Sequence, residues 1–294
     1  MARITIIGAD GQLGFDLVRE LLAAGHAVAG LTHADIELSD AESVRVALAR
    51  TNPEVVINTA AVNVESSETD PVKAFAVNAV GALNLARAVT GVRLLHLSTD
   101  YVFDGAKGSP YVETDAANPI NSYGASKFAG ETLLLAEAPD ALVIRSSGLY
   151  GEHGCRAKGG MNFVTTMLRL AAERDRLTVV DDERLSPTGT LPLSRQIAAI
   201  VEQPELAGVV HATAHGSASW FEFAREIFRL AALDVDLRPV ASAEFAASAA
   251  VKVLRPADTS LDNARLREHG IDRMQPWQEQ LADYVAAIGE LKNR

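Results

Sequence analysis

The strongest constraint on this chain lies at its start. Gly8-Ala9-Asp10-Gly11-Gln12-Leu13-Gly14 follows directly on the apolar run Ile4 to Ile7 and opens a segment, Leu13 to Ala24, in which Leu17, Leu21 and Leu22 recur at helical spacing. A strand that turns over glycines into a helix is the first half of a βαβ unit. The pattern then repeats, with strand-like Val28 to Leu31, Val55 to Asn58, Leu94 to Leu97 and Leu142 to Ile144. Asp40 is placed to cap a helix over Ala41 to Ala49, and Asp70-Pro71 is a helix start for Val72 to Val89. Continuous apolar strands between amphipathic helices predict an α/β fold with a doubly wound, Rossmann-type parallel sheet covered on both faces.

After Tyr150 the alternation loosens. A Gly-rich, basic stretch from Gly151 to Gly160 leads to helices over Asn162 to Ala172 and Ser219 to Ala232, then to loops bearing Pro239, Pro256 and Pro276. Residues 1–150 are therefore expected to form the dinucleotide-binding domain, and 151–294 mainly a smaller C-terminal α/β substrate lobe. Part of that second half, with Leu177 to Val180 as the candidate, is expected to return to the main sheet.

The glycine turn carries chemistry as well as topology. A helix N-terminus offers unpaired N–H groups and partial positive charge to a pyrophosphate, and glycines let the backbone approach it. Gly8, Asp10, Gly11, Gln12, Leu13 and Gly14 are therefore assigned to a nicotinamide dinucleotide. An adenine ribose with a free 2′-hydroxyl is usually held by an acid at the end of the second strand. Here that region reads Gly30-Leu31-Thr32-His33, with no acid before Asp35 and no nearby Arg, so NADPH is expected, with NADH also accepted. Glu37, Ala60, Ala61 and Asn78 complete the cofactor set; Asn78 has the alternative of bonding backbone. Asn58, which ends a strand, is a further candidate to face the cofactor.

Tyr123-Gly-Ala-Ser-Lys127 puts a phenol and an ammonium on one helix face. The ammonium would lower the phenol's pKa so that it exchanges a proton near neutrality, and would bond the nicotinamide ribose. Ser98 and Thr99 end the strand Leu94 to Leu97, and ligand sites in parallel sheets gather at the carboxyl ends of strands. The expected reaction is hydride transfer to a ketone, with Thr99 orienting the carbonyl, Tyr123 giving the proton and Lys127 tuning it. The bland alternatives are an exposed helix turn for Tyr123 and Lys127 and a strand-end turn for Ser98 and Thr99.

The chain has a formal net charge of -11 over 294 residues and a single cysteine, Cys155. The charge excludes a nucleic-acid surface of clustered Lys and Arg. The lone cysteine excludes an intramolecular disulfide and fits the cytoplasm. No run approaches the roughly 18 apolar residues of a membrane span, and the N-terminus has no signal-peptide pattern. A homodimer is expected on general grounds.

With these residues in place the sequence resembles the extended short-chain dehydrogenases and, within them, the dTDP-4-dehydrorhamnose reductase family. The likeness runs through Gly8 to Gly14, Asn58-Thr-Ala-Ala61, Ser98-Thr-Asp-Tyr-Val-Phe-Asp-Gly105, Tyr123 to Glu131, Arg145-Ser-Ser, Asn162-Phe163, Ser186-Pro-Thr188 and Trp220 to Ala224. It implies that Thr99, Tyr123 and Lys127 are catalytic and that the substrate is a nucleotide-linked 4-keto-6-deoxyhexose. It also implies that Asp100 and Tyr101 neighbour the sugar and that Asn162 and Phe163 face the nucleotide-sugar pocket. Asn162 reads equally as a helix cap. The rhamnose-forming enzymes usually carry Trp after Arg-x-Ser, where this chain has Gly148; the missing aromatic wall is expected to enlarge the site and weaken sugar stacking. A reductase for another deoxysugar, and a regulatory subunit resembling methionine adenosyltransferase β, are the competing readings.

The remaining features carry less. Arg156 and Lys158, in the insert His153 to Gly160, read either as phosphate contacts or as incidental loop charges. Some members of the family hold magnesium at a carboxylate-built dimer contact; Asp16 sits comparably, but one carboxylate does not make a site. His211 and His215 are four apart in a strand-like stretch, so no metal is assigned. Ser219-Trp-Phe-Glu-Phe-Ala reads as a capped helix with its aromatics packed inward.

Overall fold

The computed structural model describes residues 1–154, 159–247 and 251–292. Its centre is a six-stranded, all-parallel sheet built from β1 (Arg3–Ile7), β2 (Ala27–Leu31), β3 (Val55–Asn58), β4 (Arg93–Thr99), β5 (Leu142–Ser146) and a sixth strand, Gly208–His211. The order runs from Gly208–His211 through β5, β4, β3 and β1 to β2. That reversal between β1 and β3 opens a crevice at the strands' carboxyl ends.

Side-chain alternation along the strands assigns each residue to a face. Ile4 and Ile6 of β1 pack with Leu95 and Leu97 of β4 against Leu13, Leu17 and Leu21 of α1 (Gln12–Ala23) and Leu193 and Ile197 of the Thr190–Val201 helix. Ile7, Val56, Leu94 and Val143 face the other way, onto α2 (Ala41–Thr51), α5 (Gly81–Ala88) and α6 (Ser122–Glu137). Both faces are dry, which is why the strands read as unbroken apolar runs.

The helix starts follow their caps. Asp40 accepts from Glu42 N, Asp70 from Lys73 N and Asn121 from Gly124 N. The helix expected over Val72 to Val89 is helical from Pro71 to Ala88, but a π-turn over Ala76–Val80 separates α4 (Pro71–Phe75) from α5; the short α3 (Val64–Thr69) precedes it. The π-turn lets Asn78 bond both backbone polar groups of Val62.

The second half differs from expectation in two ways. The segment that returns to the main sheet is Gly208–His211, which pairs with β5, whereas Leu177 to Val180 lies in a strand paired with Asp236–Val240 in a separate two-stranded sheet. A buried apolar triplet does not say which edge it joins; that depends on where the intervening Thr190–Val201 helix packs, and it packs on α1. The lobe also contains short strands that reading for helices did not predict, including Arg184–Leu185 and Thr188–Gly189. Its own core gathers Tyr150, Val164, Phe223, Ile227, Trp277 and Leu281. No helix among the described residues is long and apolar enough to cross a membrane.

Candidate active site

A cavity of about 360 Å³ opens between the carboxyl ends of the sheet and the lobe. Its cofactor side is the glycine turn. A Cβ on Gly14 would stand 2.1 Å from the Gly8 carbonyl oxygen, so α1 reaches the turn only because that position lacks a side chain. Gly11 is the N-cap of α1 and no side chain caps that helix end. Backbone donors, a helix dipole and no competing side-chain acceptor suit a pyrophosphate, so the residues present fit a dinucleotide. Gly11, Gln12, Leu13 and Ala61 line the cavity. Gly8, Asp10 and Gly14 shape the turn behind it. At the end of β2, Asp35 accepts from the backbone and hydroxyl of Thr32, and Glu37 accepts from Ser39 at the surface, away from the cavity lining.

The reacting side is built from β4 and α6. Ser98, Thr99, Asp100 and Tyr101 leave the end of β4 and line the cavity together with Tyr123 and Lys127. The Tyr101 and Tyr123 rings meet edge to face at 5.9 Å. Lys127 is fully buried, with Nζ donating to the Leu97 carbonyl at 2.6 Å, and burial lowers its pKa to about 8. The Asp100 carboxylate accepts from the hydroxyls of Thr99, Ser147 and Thr259. These bonds tie together the ends of β4 and β5 and the C-terminal segment. Burial raises its pKa against the three hydroxyls, which pull it down.

Several assigned side chains are engaged within the protein. The Asn162 amide nitrogen donates to the Gly151 carbonyl and to Tyr284 Oη, and its oxygen accepts from Thr165 N in a capping box. It lines the cavity and caps the Phe163–Glu173 helix. Asn78 bonds Val62 and Ser126, so its amide braces α6. Ala60 N donates to Asn58 Oδ1, and the Asn58 amide nitrogen faces His96 Nδ1. His211 bonds the carbonyls of Tyr111 and Asp262, while His215 pairs with Asp272. Asp16 accepts from Thr190, and no group of three or more potential ligands for a metal occurs among the described residues. Cys155, Arg156 and Lys158 lie outside the described residues.

Gly148 also departs from expectation. It adopts φ +57°, and a Cβ there would meet Leu185 Cδ1 at 2.5 Å and Pro187 Cα at 3.2 Å. The space is therefore filled by Leu185 and Pro187, not left open. An aromatic wall comes instead from the lobe, where Phe163 and Trp220 pack with centroids 4.6 Å apart and both line the cavity. Trp220 is thus a wall residue as well as a packing one, unlike the fully inward Phe223.

Sequence reading missed the cavity's far side. Arg255 donates to Tyr101 Oη at 2.9 Å and to Glu65 at 3.0 Å. Burial pushes Tyr101 up to about 12, and the Arg255 charge opposes this. Arg184, paired with Glu222, and Glu183 complete that wall. The only local signal was Arg255-Pro256, which looks like any loop.

A glycine turn at a sheet's switch point and a Tyr-Lys helix beside the end of β4, both opening on one cavity under a small lobe, define the class: an extended short-chain dehydrogenase/reductase. Within it, the chain belongs to the dTDP-4-dehydrorhamnose reductases, matching the family model described as the RmlD substrate binding domain over residues 2–289. It is 40% identical to the dTDP-4-dehydrorhamnose reductase of Mycolicibacterium smegmatis over 291 residues, covering 97% of this chain and 86% of that one. The dTDP-4-keto-6-deoxy-D-glucose reductase of Streptomyces niveus is 39% identical over 280 residues, covering 94% and 93%. Among solved structures, the dTDP-4-dehydrorhamnose reductase of Bacillus anthracis in complex with NADP superposes with a TM-score of 0.90 at 34% identity, covering 97% of this chain and 99% of that one.

Proposed function

We propose that this protein is an NADPH-dependent reductase of the 4-keto group of a dTDP-linked 6-deoxyhexose, with dTDP-4-dehydro-L-rhamnose as the leading substrate. The observation that carries this reading is convergence: Thr99, Tyr123 and Lys127 line the same cavity as Gly11 to Leu13 of the glycine turn. When bound, NADPH supplies the hydride. Thr99 orients the carbonyl through its hydroxyl, which must turn from Asp100 to do so. Tyr123 gives its proton to the carbonyl oxygen as charge develops there, and Lys127 sets how readily that proton leaves. Arg255 and Arg184 supply positive charge for a diphosphate in a chain that is otherwise strongly acidic. Phe163 and Trp220 offer an apolar stacking face.

A second sugar is favoured by one observation. Leu185 occupies the volume beside Gly148, so the cavity wall there is aliphatic, which suits a differently shaped deoxyhexose as well. The family includes a relative named for dTDP-4-keto-6-deoxy-D-glucose.

The test is turnover of NADPH, followed by absorbance, with dTDP-, UDP- and GDP-linked 4-keto-6-deoxyhexoses. Oxidation is expected with the dTDP sugars and faster with NADPH than with NADH. Absence of turnover across all three nucleotides would overturn the reading.

A further inference from the structure

Behind the cavity floor, buried polar groups stand in a line whose donors and acceptors can be counted. The backbone N–H of Ala60 donates to Asn58 Oδ1 at 3.1 Å, which fixes the amide so that Nδ2 lies 3.1 Å from His96 Nδ1. Across the ring, His96 Nε2 lies 3.2 Å from Lys127 Nζ, which donates to the Leu97 carbonyl. Asn58 and His96 are 1% exposed and Lys127 is 2% exposed, so solvent does not substitute for a missing partner. The arrangement follows from the strands: Asn58 and His96 are register partners on β3 and β4, on the face that α6 covers.

An amide nitrogen only donates, so His96 Nδ1 must accept and the ring proton must sit on Nε2. That N–H points at Lys127 Nζ. An ammonium has three donors and no acceptor, whereas a neutral amine has a lone pair. Only the neutral amine completes the line without two donors facing each other. The other histidine tautomer sets Nδ1–H against the Asn58 amide, and turning that amide sets its Nδ2 against the Ala60 N–H.

We propose that His96, held by Asn58 in the tautomer protonated at Nε2, is a positioning residue that sets the charge of Lys127. Its consequence for Tyr123 rests on the reductase reading. For Lys127 to take up a proton without conflict, the His96 proton must move to Nδ1 and the Asn58 amide must turn from Ala60. His96 keeps one proton throughout, and the added proton stays on Nζ. The charge of the reacting helix is thereby tied to a backbone N–H of the loop that leads to the cofactor-side residue Ala61.

The surroundings agree. Burial lowers Lys127, and burial is the first cause that holds His96 well below its ordinary value; a charge on Lys127 pushes it the same way, so the ring stays neutral in either state of the lysine. Glu131, on the same helix, pulls Lys127 back up but is engaged by Arg145 of β5. Tyr123 shares the helix, Asp100 and Tyr101 face its first turns from the end of β4, and Glu68 of α3 is held by Ser122. Glu65 of α3 is paired with Arg255, Arg93 at the start of β4 donates to the Val201 and Gln203 carbonyls, and Lys73 on α4 and Arg87 on α5 are the other charges on packed elements, the last paired with Glu137.

Nitrogen NMR on the full chain with labelled histidine reads the tautomer without any substrate. Above the Lys127 pKa of about 8, His96 is expected to show a protonated Nε2 and a bare Nδ1; a proton on Nδ1 at that pH would overturn the proposal. Asn58→Asp, nearly isosteric, replaces the donor facing Nδ1 by an acceptor. It should shift the ring proton to Nδ1, let Nε2 accept from a charged Lys127, and move the lysine limb of the kcat/KM pH profile upward by about 1–3 units. Lower kcat with an unmoved profile indicates a merely structural role and refutes the idea. Should the variant not fold, the tautomer in the native chain decides. Failure of the reductase reading would appear as absent turnover and leave the tautomer result intact.

Discussion

At the scale of single residues, the two strings that mark the family end on each other. Glu131 closes the Tyr123 segment and Arg145 opens Arg-Ser-Ser, and they meet in a buried two-pronged pair, with Arg145 Nη2 2.7 Å and Nε 3.0 Å from the carboxylate. The pair pins α6 to β5 and so holds Lys127 in register. Removing one partner leaves an uncompensated buried charge. Glu131→Leu is expected to cost about 3–5 kcal/mol by urea unfolding, while Glu131→Leu with Arg145→Met should recover most of it. Equal losses in the single and double variants would show that the pair is not what holds the helix. The sequence marked both residues but not their bond, because fourteen positions and a change of element separate them.

At the scale of elements, the strand-to-helix turn was legible almost residue by residue. A short apolar run, three glycines and a helical leucine spacing have few physical solutions. The dependence is steric and testable: Gly14→Ala places a methyl 2.1 Å from the Gly8 carbonyl oxygen, so α1 must move off the turn. The thermal shift produced by NADPH is expected to vanish while most of the secondary structure remains by circular dichroism. An undiminished NADPH shift would refute the turn as the cofactor cradle. Elements after Tyr150 were less legible. Their strands are two residues long in several cases and form only because the lobe brings them together, so no periodicity announces them.

At the scale of the whole molecule, acid stability depends on histidines that folding keeps neutral. Burial, aided by the nearby Arg145 charge, lowers His211 from 6.5 to about 3. Its Nδ1 is engaged by two carbonyls, and Nε2 has no partner among the described residues. Between these two values the unfolded chain binds the proton and the native one does not. Stability is therefore whole above about 6.5 and is lost as pH falls toward 3, at up to about 1.4 kcal/mol per pH unit for this group. His211→Asn should flatten the pH dependence of the urea midpoint in that window by as much as one proton; parallel curves for the two proteins would refute the assignment.

What the sequence determined by itself was local: alternation set the parallel sheet, the glycine turn set the dinucleotide cradle, and the spacing of Tyr123 and Lys127 put them on one helix face. Those features depend on neighbours within a few residues, where backbone geometry leaves little choice. Tertiary structure alone decided which edge the second half joins, that Leu185 fills the space beside Gly148, and that Phe163 and Trp220 furnish the aromatic wall. It also decided that Asn58, His96 and Lys127 share a line of hydrogen bonds. These contacts join residues tens of positions apart, and close packing and hydrogen-bond parity, which fix them, act only once the chain has folded.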